Sequence, residues 1–264
     1  MMRSEQRLRD IRSNRSVHRG SRLLKNLATT RHGMTLTELS AISELPESTV
    51  YRLLATLEFE GFVERSTDGS GRFLIGLEMF RLGSAVLDRL GIGQQVLTYL
   101  EELASDTRET VNLGALHGFH VLYLQKVESQ QTLRASLTIG SAEVPAHCSA
   151  NGKMLLSELD QTQLDALLEE HPLDAQGPNT IVTREGLVEE LQRIRGQGYS
   201  VDDLEFATDI RAVAAPIRNH LGSTIAAVAV AGPATRLSLE RTHALAPQVM
   251  DMAQRISERL GFRA

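Results

Sequence analysis

Up to about residue 104 the apolar positions of this chain recur three and four apart, and from residue 110 they begin to alternate. Residues 16–31 (SVHRGSRLLKNLATTR) predict a helix with Ser16 as its N-cap and Leu23, Leu24 and Leu27 on one face, although Gly20 in its interior is unfavourable. Thr35-Leu-Thr-Glu38 has the spacing of a capping box, in which hydroxyl and carboxylate each satisfy a free backbone donor. Leu36, Leu39 and Ile42 then predict a short second helix. A break at Ser43-Glu-Leu-Pro46 places Pro46 at the first position of a third helix running to Gly61. Val50, Leu53, Leu54 and Leu57 give that helix one buried stripe, opposite Ser48, Thr49, Tyr51, Arg52 and Thr56. Residues 62–65 and 72–75 flank a turn at Asp68-Gly-Ser-Gly71 and predict a β-hairpin.

Two helices, a tight turn, a third helix and a hairpin within about 60 residues describe a winged helix-turn-helix. A recognition helix must be apolar where it rests on its neighbours and small and polar where it meets DNA. Ser48 and Thr49 are candidate phosphate donors, and Arg52 suits a guanine edge or a phosphate. Tyr51 suits a phosphate or a thymine methyl, or lies on its own domain; Arg22 on the first helix and Arg72 on the wing complete the candidates. The alternative for this pattern is a three-helix module that binds a protein.

Leu77–Leu90 is amphipathic through Phe80, Val86, Leu87 and Leu90, and reads as a linker helix that pairs with a second subunit. After Gly91-Ile-Gly93 a helix resumes through Leu97, Leu100, Leu103 and Ala104. Residues 111–116 and 121–125 predict strands around His117-Gly118, and 133–137 a third strand. Helices are expected at about 151–170 and 183–197, and strands near 211–218 and 224–231. A last helix from Ser238 to Leu260 contains Pro247, which should kink or divide it. Antiparallel strands with helices gathered around them make the second half α+β. The expected organisation is a basic arm (1–15) disordered without DNA, a DNA-binding domain (16–76), a linker and dimerisation helix (77–92) and a second domain (93–264).

Charge sharpens this picture. The chain carries −5 overall, yet residues 1–35 hold nine Lys or Arg against two acids, a local +7 that leaves −12 for the remainder. A basic end on an acidic body suits a protein that meets phosphate with one end only, or else a solvated tail. The polar, basic N-terminus has no apolar core like that of a secretory signal, and one cysteine, Cys148, permits no internal disulfide, so a cytoplasmic protein is expected.

Leu36-Thr-Glu-Leu-Ser40, residues 45–57 (LPESTVYRLLATL), Glu60-Gly-Phe-Val63 and Phe73-Leu-Ile-Gly76 resemble the IclR family of bacterial transcriptional regulators. So do, in the same order, Glu109-Thr-Val-Asn-Leu113, residues 123–129 (YLQKVES), Gly152-Lys153, Gly198-Tyr-Ser-Val-Asp-Asp203, Glu205, residues 212–217 (AVAAPI) and Gly232-Pro233. The resemblance runs from about residue 16 to 261. It implies a GAF-like second domain whose six-stranded antiparallel sheet cups a small organic, sugar or aromatic acid, dimers often paired into tetramers, and a palindromic operator. By position it nominates Ala150, Asn151, Asp202, Ile210, Ala212, Ala229 and Ala231 as effector contacts. Family members that take very small acids tend to have Cys at 212 and Ser at 229 and 231. The alanines here imply a roomier, less polar pocket and a ligand larger or more apolar than a two-carbon acid.

Other side chains carry less. His147-Cys148 lacks both the positioned base of a nucleophile and the further ligands of a metal site, so a packing or pocket-wall role is expected. Asp202 and Asp203 are neighbours, a poor arrangement for paired acid–base work, and one of them is expected to be solvated or capping. Gly196-Gln-Gly198 reads as a helix stop, and Arg211 as either a structural ion pair or a partner for a ligand carboxylate. No cofactor and no metal are expected. A ligand-controlled regulator, repressor or activator, is the leading function; a hydrolase-like enzyme with a fused helical module is the rival.

Overall fold

In the computed structural model of the chain the described residues are 14–30, 32–90, 94–135 and 144–263, with only the backbone described at 87–90 and 94–95. The expected arm therefore lies outside them up to residue 13, as does the end of the expected strand at 133–137. Two compact units divide at Arg89/Leu90.

The first unit contains α1 (Arg15–Leu27), α2 (Leu36–Ser43), α3 (Glu47–Phe59), a hairpin of β1 (Val63–Arg65) and β2 (Phe73–Ile75), and α4 (Leu77–Leu90). Leu23, Leu27, Leu39, Val50, Leu54, Val63 and Phe73 form its core, which joins all three helices to the hairpin. The N-cap of α1 is Asn14 rather than Ser16, because the Asn14 carboxamide accepts the N–H groups of Ser16 and Val17 at 3.0 and 3.4 Å. The helix ends at Leu27, not residue 31; the Thr29 hydroxyl donates to the Asn26 carbonyl at 2.7 Å and closes it. The capping box of α2 forms as expected, with Thr35 N–H to Glu38 Oε2 at 2.7 Å and Glu38 N–H to Thr35 Oγ1 at 3.2 Å. Pro46, extended at ψ 141°, is the N-cap of α3 rather than its first residue, and the helix stops at Phe59.

The second unit is built on a six-stranded antiparallel sheet in the order β5-β4-β3-β8-β7-β6. The strands are β3 (Thr110–His117), β4 (His120–Val127), β5 (Val144–Pro145), β6 (Ser200–Asp203), β7 (Ile210–Arg218) and β8 (Thr224–Pro233). Central strand β8 is buried from Ala226 to Pro233 without alternation, so helices must cover both faces. Helices α5 (Gln94–Thr107) and α9 (Leu239–Arg259) pack on the sheet and on each other. Helix α6 (Ala150–Ser157) crosses strands β3, β6, β7 and β8 and is itself backed by α8 (Arg184–Gln197), with α7 (Gln161–Glu170) following it.

Several expectations change here. The helix expected at 151–170 is two, since Asp160 and Gln163 form a second capping box that starts α7. Residues 133–135 are not a strand. Pro247 does not divide α9, which runs as one element over 21 residues. Strands β5 and β6, unforeseen because each is so short, supply the two edges of the sheet. Among the described residues no helix is long and apolar enough to cross a membrane.

Candidate functional site

On the first unit, Val50 and Leu54 of α3 enter the core and turn Ser48, Tyr51 and Arg52 outward, with Thr49 half-buried. The Arg52 carbonyl accepts from the Thr56 hydroxyl at 3.1 Å, while its side chain has no hydrogen bond or ion pair among the described residues, so the guanidinium is available. Arg22 is exposed on α1. Tyr51 is half exposed, with the Arg65 guanidinium 5.9 Å from its ring; Arg65 also lies over Phe73 at 4.8 Å and bonds Glu58 at 3.1 Å. Arg72 is differently placed from the other candidates. Its Nη1 donates to the Gly33 carbonyl at 2.9 Å and to Glu38 Oε2 at 3.1 Å, which fastens the wing to the start of α2. Backbone bonds between Met34 and Phe73 reinforce the junction.

On the second unit a cavity of about 60 Å³ opens between the sheet and the N-terminus of α6. Sheet register explains its walls. Asp202 of β6 pairs with Ala212 of β7 and Ala212 with Ala231 of β8; one row along, Ala214 pairs with Ala229 and Ala229 with Asn112 of β3. Residues two apart share a face, so both rows present small side chains beneath α6. Ser149 caps α6 by accepting the Gly152 N–H, and Ala150 and Asn151 follow over the cavity. Close approach there requires Gly152, because a Cβ would lie 2.2 Å from the Ala146 carbonyl oxygen.

All seven nominated residues, Ala150, Asn151, Asp202, Ile210, Ala212, Ala229 and Ala231, line this one cavity. Sequence reading missed Asn112, Tyr123, Ala135, Val144, Ser149 and Phe206, which line it too. The alternation of β3 was a usable signal for Asn112, an amide between Val111 and Leu113 that are themselves fully buried. The alanines alone do not make the pocket spacious, for Tyr123 and Phe206 occupy the same space.

The electrostatics are set by burial. Asn151 donates through Nδ2 to Asn112 Oδ1 at 2.6 Å, while its own Oδ1 is buried without a partner. Desolvation pushes the Asp202 carboxyl up to about 7, despite the N–H groups of Glu205 and Phe206 that bond its Oδ1 at 2.8 and 3.4 Å. Behind it, the fully buried Lys153 of α6 reaches Glu205 and, at 3.3 Å, Glu190 of α8. Glu205 is nevertheless raised by desolvation, and its Oε2 has no partner. Asp203, on the other face of β6, forms an ion pair with Arg211 at 2.6 Å, and Arg211 also bonds the Leu237 carbonyl, so Arg211 is structural. His147 stacks on Phe119, and Cys148 is buried with its thiol pushed up to about 12 by desolvation, which makes it a poor nucleophile. Gly198 caps α8 in the left-handed conformation, as a helix stop should.

These two surfaces match two family models: the IclR helix-turn-helix domain over residues 16–67 and the C-terminal region of the bacterial transcriptional regulator IclR over residues 84–258. The HTH-type transcriptional regulator BhcR of Paracoccus denitrificans is 35% identical over 85% of this chain and 80% of its own. The acetate operon repressor of Salmonella typhimurium is 34% identical over 92% and 88%. The crystal structure of the Thermotoga maritima IclR superposes with a TM-score of 0.73 at 29% identity, over 94% of this chain and 99% of that one. The comparisons leave no place for the enzyme reading, since the relatives are regulators. A winged helix-turn-helix followed by a sheet that cups a cavity is the family's architecture, and the chain belongs to the IclR family of DNA-binding bacterial transcriptional regulators.

Proposed function

We propose that this regulator reads a palindromic operator through α3 and answers to an organic, sugar or aromatic acid held in the cavity beneath α6. The observation that carries the reading is the buried, unpartnered Asn151 Oδ1 in a partly open cavity lined by Asp202 and three sheet alanines. A buried acceptor without a partner costs stability, and a ligand that brings an O–H to it, as the hydroxyl of a hydroxy acid or a protonated carboxyl does, recovers that cost. The apolar walls favour a ligand with more carbon than a two-carbon acid. Arg22, Ser48, Thr49, Tyr51 and Arg52 are the DNA contacts of this reading, and Arg72 acts as the anchor of the wing.

The same reading pairs two chains, and α4 supports it. Leu77 and Phe80, one helical turn apart, are 80% and 76% exposed, apolar side chains that a second copy would cover. A dimer, or a tetramer of paired dimers, presents two recognition helices to the two operator half-sites. The protein works in the cytoplasm, where its DNA is.

Fluorescence anisotropy tests the reading, with labelled DNA from upstream of the protein's own gene against a shuffled fragment at physiological salt. Preference for the native fragment, weakened roughly 10–100-fold by Arg52→Ala, is expected from the loss of one base-edge contact. Acids of graded size are then screened for an effect on that binding. Equal binding to both fragments, unchanged by the variant, would refute α3 as the reader of that sequence.

A further inference from the structure

Among the described residues that line the cavity there is no cation. Its lining contains Asn, Ser, Tyr and one Asp, but no Lys, Arg or His. Residues 136–143, SLTIGSAE, contain none either. Lys153 lies close by, yet it is shared between Glu205 and Glu190, and Glu190 is paired with Arg193 as well, so this cluster leaves no cation over for the cavity. An acid that enters as its anion meets only neutral donors there, the Tyr123 hydroxyl and the first backbone N–H groups of α6, at Ala150 and Asn151, which have no partner within the helix. An ionised Asp202 would repel it.

We propose that the cavity binds an organic acid as its anion together with one proton, held on Asp202 Oδ2 and donated to the effector's carboxylate. This rests on the acid-effector reading above. Asp202 is 3% exposed, and its Oδ1 is occupied by the N–H groups of Glu205 and Phe206, which leaves Oδ2 for the proton. The titratable groups facing it are Glu205 on its own loop, Lys153 on α6, Tyr123 on β4 and Cys148 on the turn before α6; its β7 neighbour is Ala212. Burial pushes the Tyr123 hydroxyl and the Cys148 thiol upward, so both stay neutral. Asp202, pushed up to about 7, titrates among them near neutral pH. Two carboxylates that share a site hold one proton between them, as in an acid dyad. Binding above neutrality therefore turns a carboxylate, a proton and a second carboxylate into one hydrogen-bonded pair. The effector's affinity is then constant from pH 5.5 to about 7 and falls about tenfold per pH unit above it.

Two measurements on the full-length protein decide the matter. Difference infrared spectroscopy of the ligand-free protein is expected to show a protonated carboxyl band at pH 6 that is lost by pH 8.5 and is absent from Asp202→Asn. Titration calorimetry with benzoate, pyruvate and gluconate, at pH 8 in two buffers of different ionisation enthalpy, is expected to show uptake of close to one proton per acid bound. Asp202→Asn keeps a donor at the same place and is expected to bind the acid with no proton uptake and no slope between pH 7 and 8.5. An acid that binds wild type without proton uptake, or an infrared band absent at pH 6, overturns the inference while the acid reading stands. If benzamide or benzyl alcohol binds and no acid does at any pH, or if the whole panel fails to bind, the acid reading falls and takes the inference with it.

Discussion

Arg72, beside the wing strand β2, and Glu38, in the first turn of α2, form a two-pronged ion pair, Nη1 to Oε2 at 3.1 Å and Nη2 to Oε1 at 3.3 Å. The same carboxylate closes the capping box by accepting the Thr35 N–H, and both contacts hold its titration below the usual carboxylate range, the backbone bond first. One side chain thus sets the start of α2 and the seat of the wing together.

The first prediction concerns that pair. Arg72→Ala is expected to lower the melting temperature of the protein and to weaken DNA binding by loosening the wing, with the salt dependence of binding unchanged. A phosphate contact would behave otherwise, since its removal reduces the slope of log K against log salt by about one. The slope measured with Arg72→Ala and with Arg52→Ala separates anchor from contact.

A second prediction follows from Asp202. Its carboxyl is raised to about 7 in the folded chain and returns to an ordinary value near 3.8 when the chain unfolds. Between those values the unfolded chain releases a proton that the folded chain keeps, so this group's contribution to stability declines as pH rises from about 4 to 7 and is flat above. Asp202→Asn removes the decline. The variant is expected to be more stable than wild type at pH 7.5, by at most about 4 kcal/mol from the size of the shift, and to equal it near pH 4. Urea melts at the two pH values check this; equal differences at both would refute it.

Lys153 supports a third. It is 1% exposed and serves two carboxylates, one of which sits beside Phe206 in the loop that follows Asp202 and β6. Lys153→Met strands Glu205, while Glu190 keeps its pair with Arg193, and is expected to cost about 3–5 kcal/mol. Adding Glu205→Gln removes the stranded charge and should restore part of the loss. A double variant no more stable than the single one would mean that Lys153 acts through packing rather than charge.

Much of this molecule was legible in its sequence, for reasons that can be named. Leu23 and Leu27 on one helix, and Val50 and Leu54 on another, stand four apart because all of them face one core, and Thr35 and Glu38 announce a helix start by chemistry that is wholly local. Strands β5 and β6 were not legible, since runs of two and four residues carry no period of their own and are made strands by their neighbours. The seven cavity residues came from family resemblance, because their convergence depends on the pairing of β6, β7 and β8 far apart in the chain. Tyr123 and Phe206 escaped for the same reason: nothing local marks an aromatic ring as cavity wall rather than core. Arg72 reads as a DNA contact by charge and position, and its bonds to Glu38 and Gly33, which no local pattern announces, are the ground for proposing it as the anchor of the wing.

The last prediction tests how the cavity is shaped. Gly114 sits in β3 where the register with β4 shifts, and a Cβ there would lie 2.5 Å from Val121 Cγ1 and 3.0 Å from Asn151 Nδ2. Val121 is stiff at χ1 and fully buried, so it does not move aside cheaply. The strain falls on Asn151, whose Nδ2 bond to Asn112 fixes the direction of the unpartnered Oδ1. Gly114→Ala is expected to cost about 1–3 kcal/mol by overpacking and to abolish the effect of an acid on DNA binding, while DNA affinity without acid stays at the wild-type value. Asn151→Ala, which removes the acceptor and leaves Gly114 untouched, should lose the same response without the overpacking cost. Retention of the full response by both variants would show that Asn151 does not recognise the ligand. Loss in Gly114→Ala alone would place the defect in the fold of β3 rather than in the site.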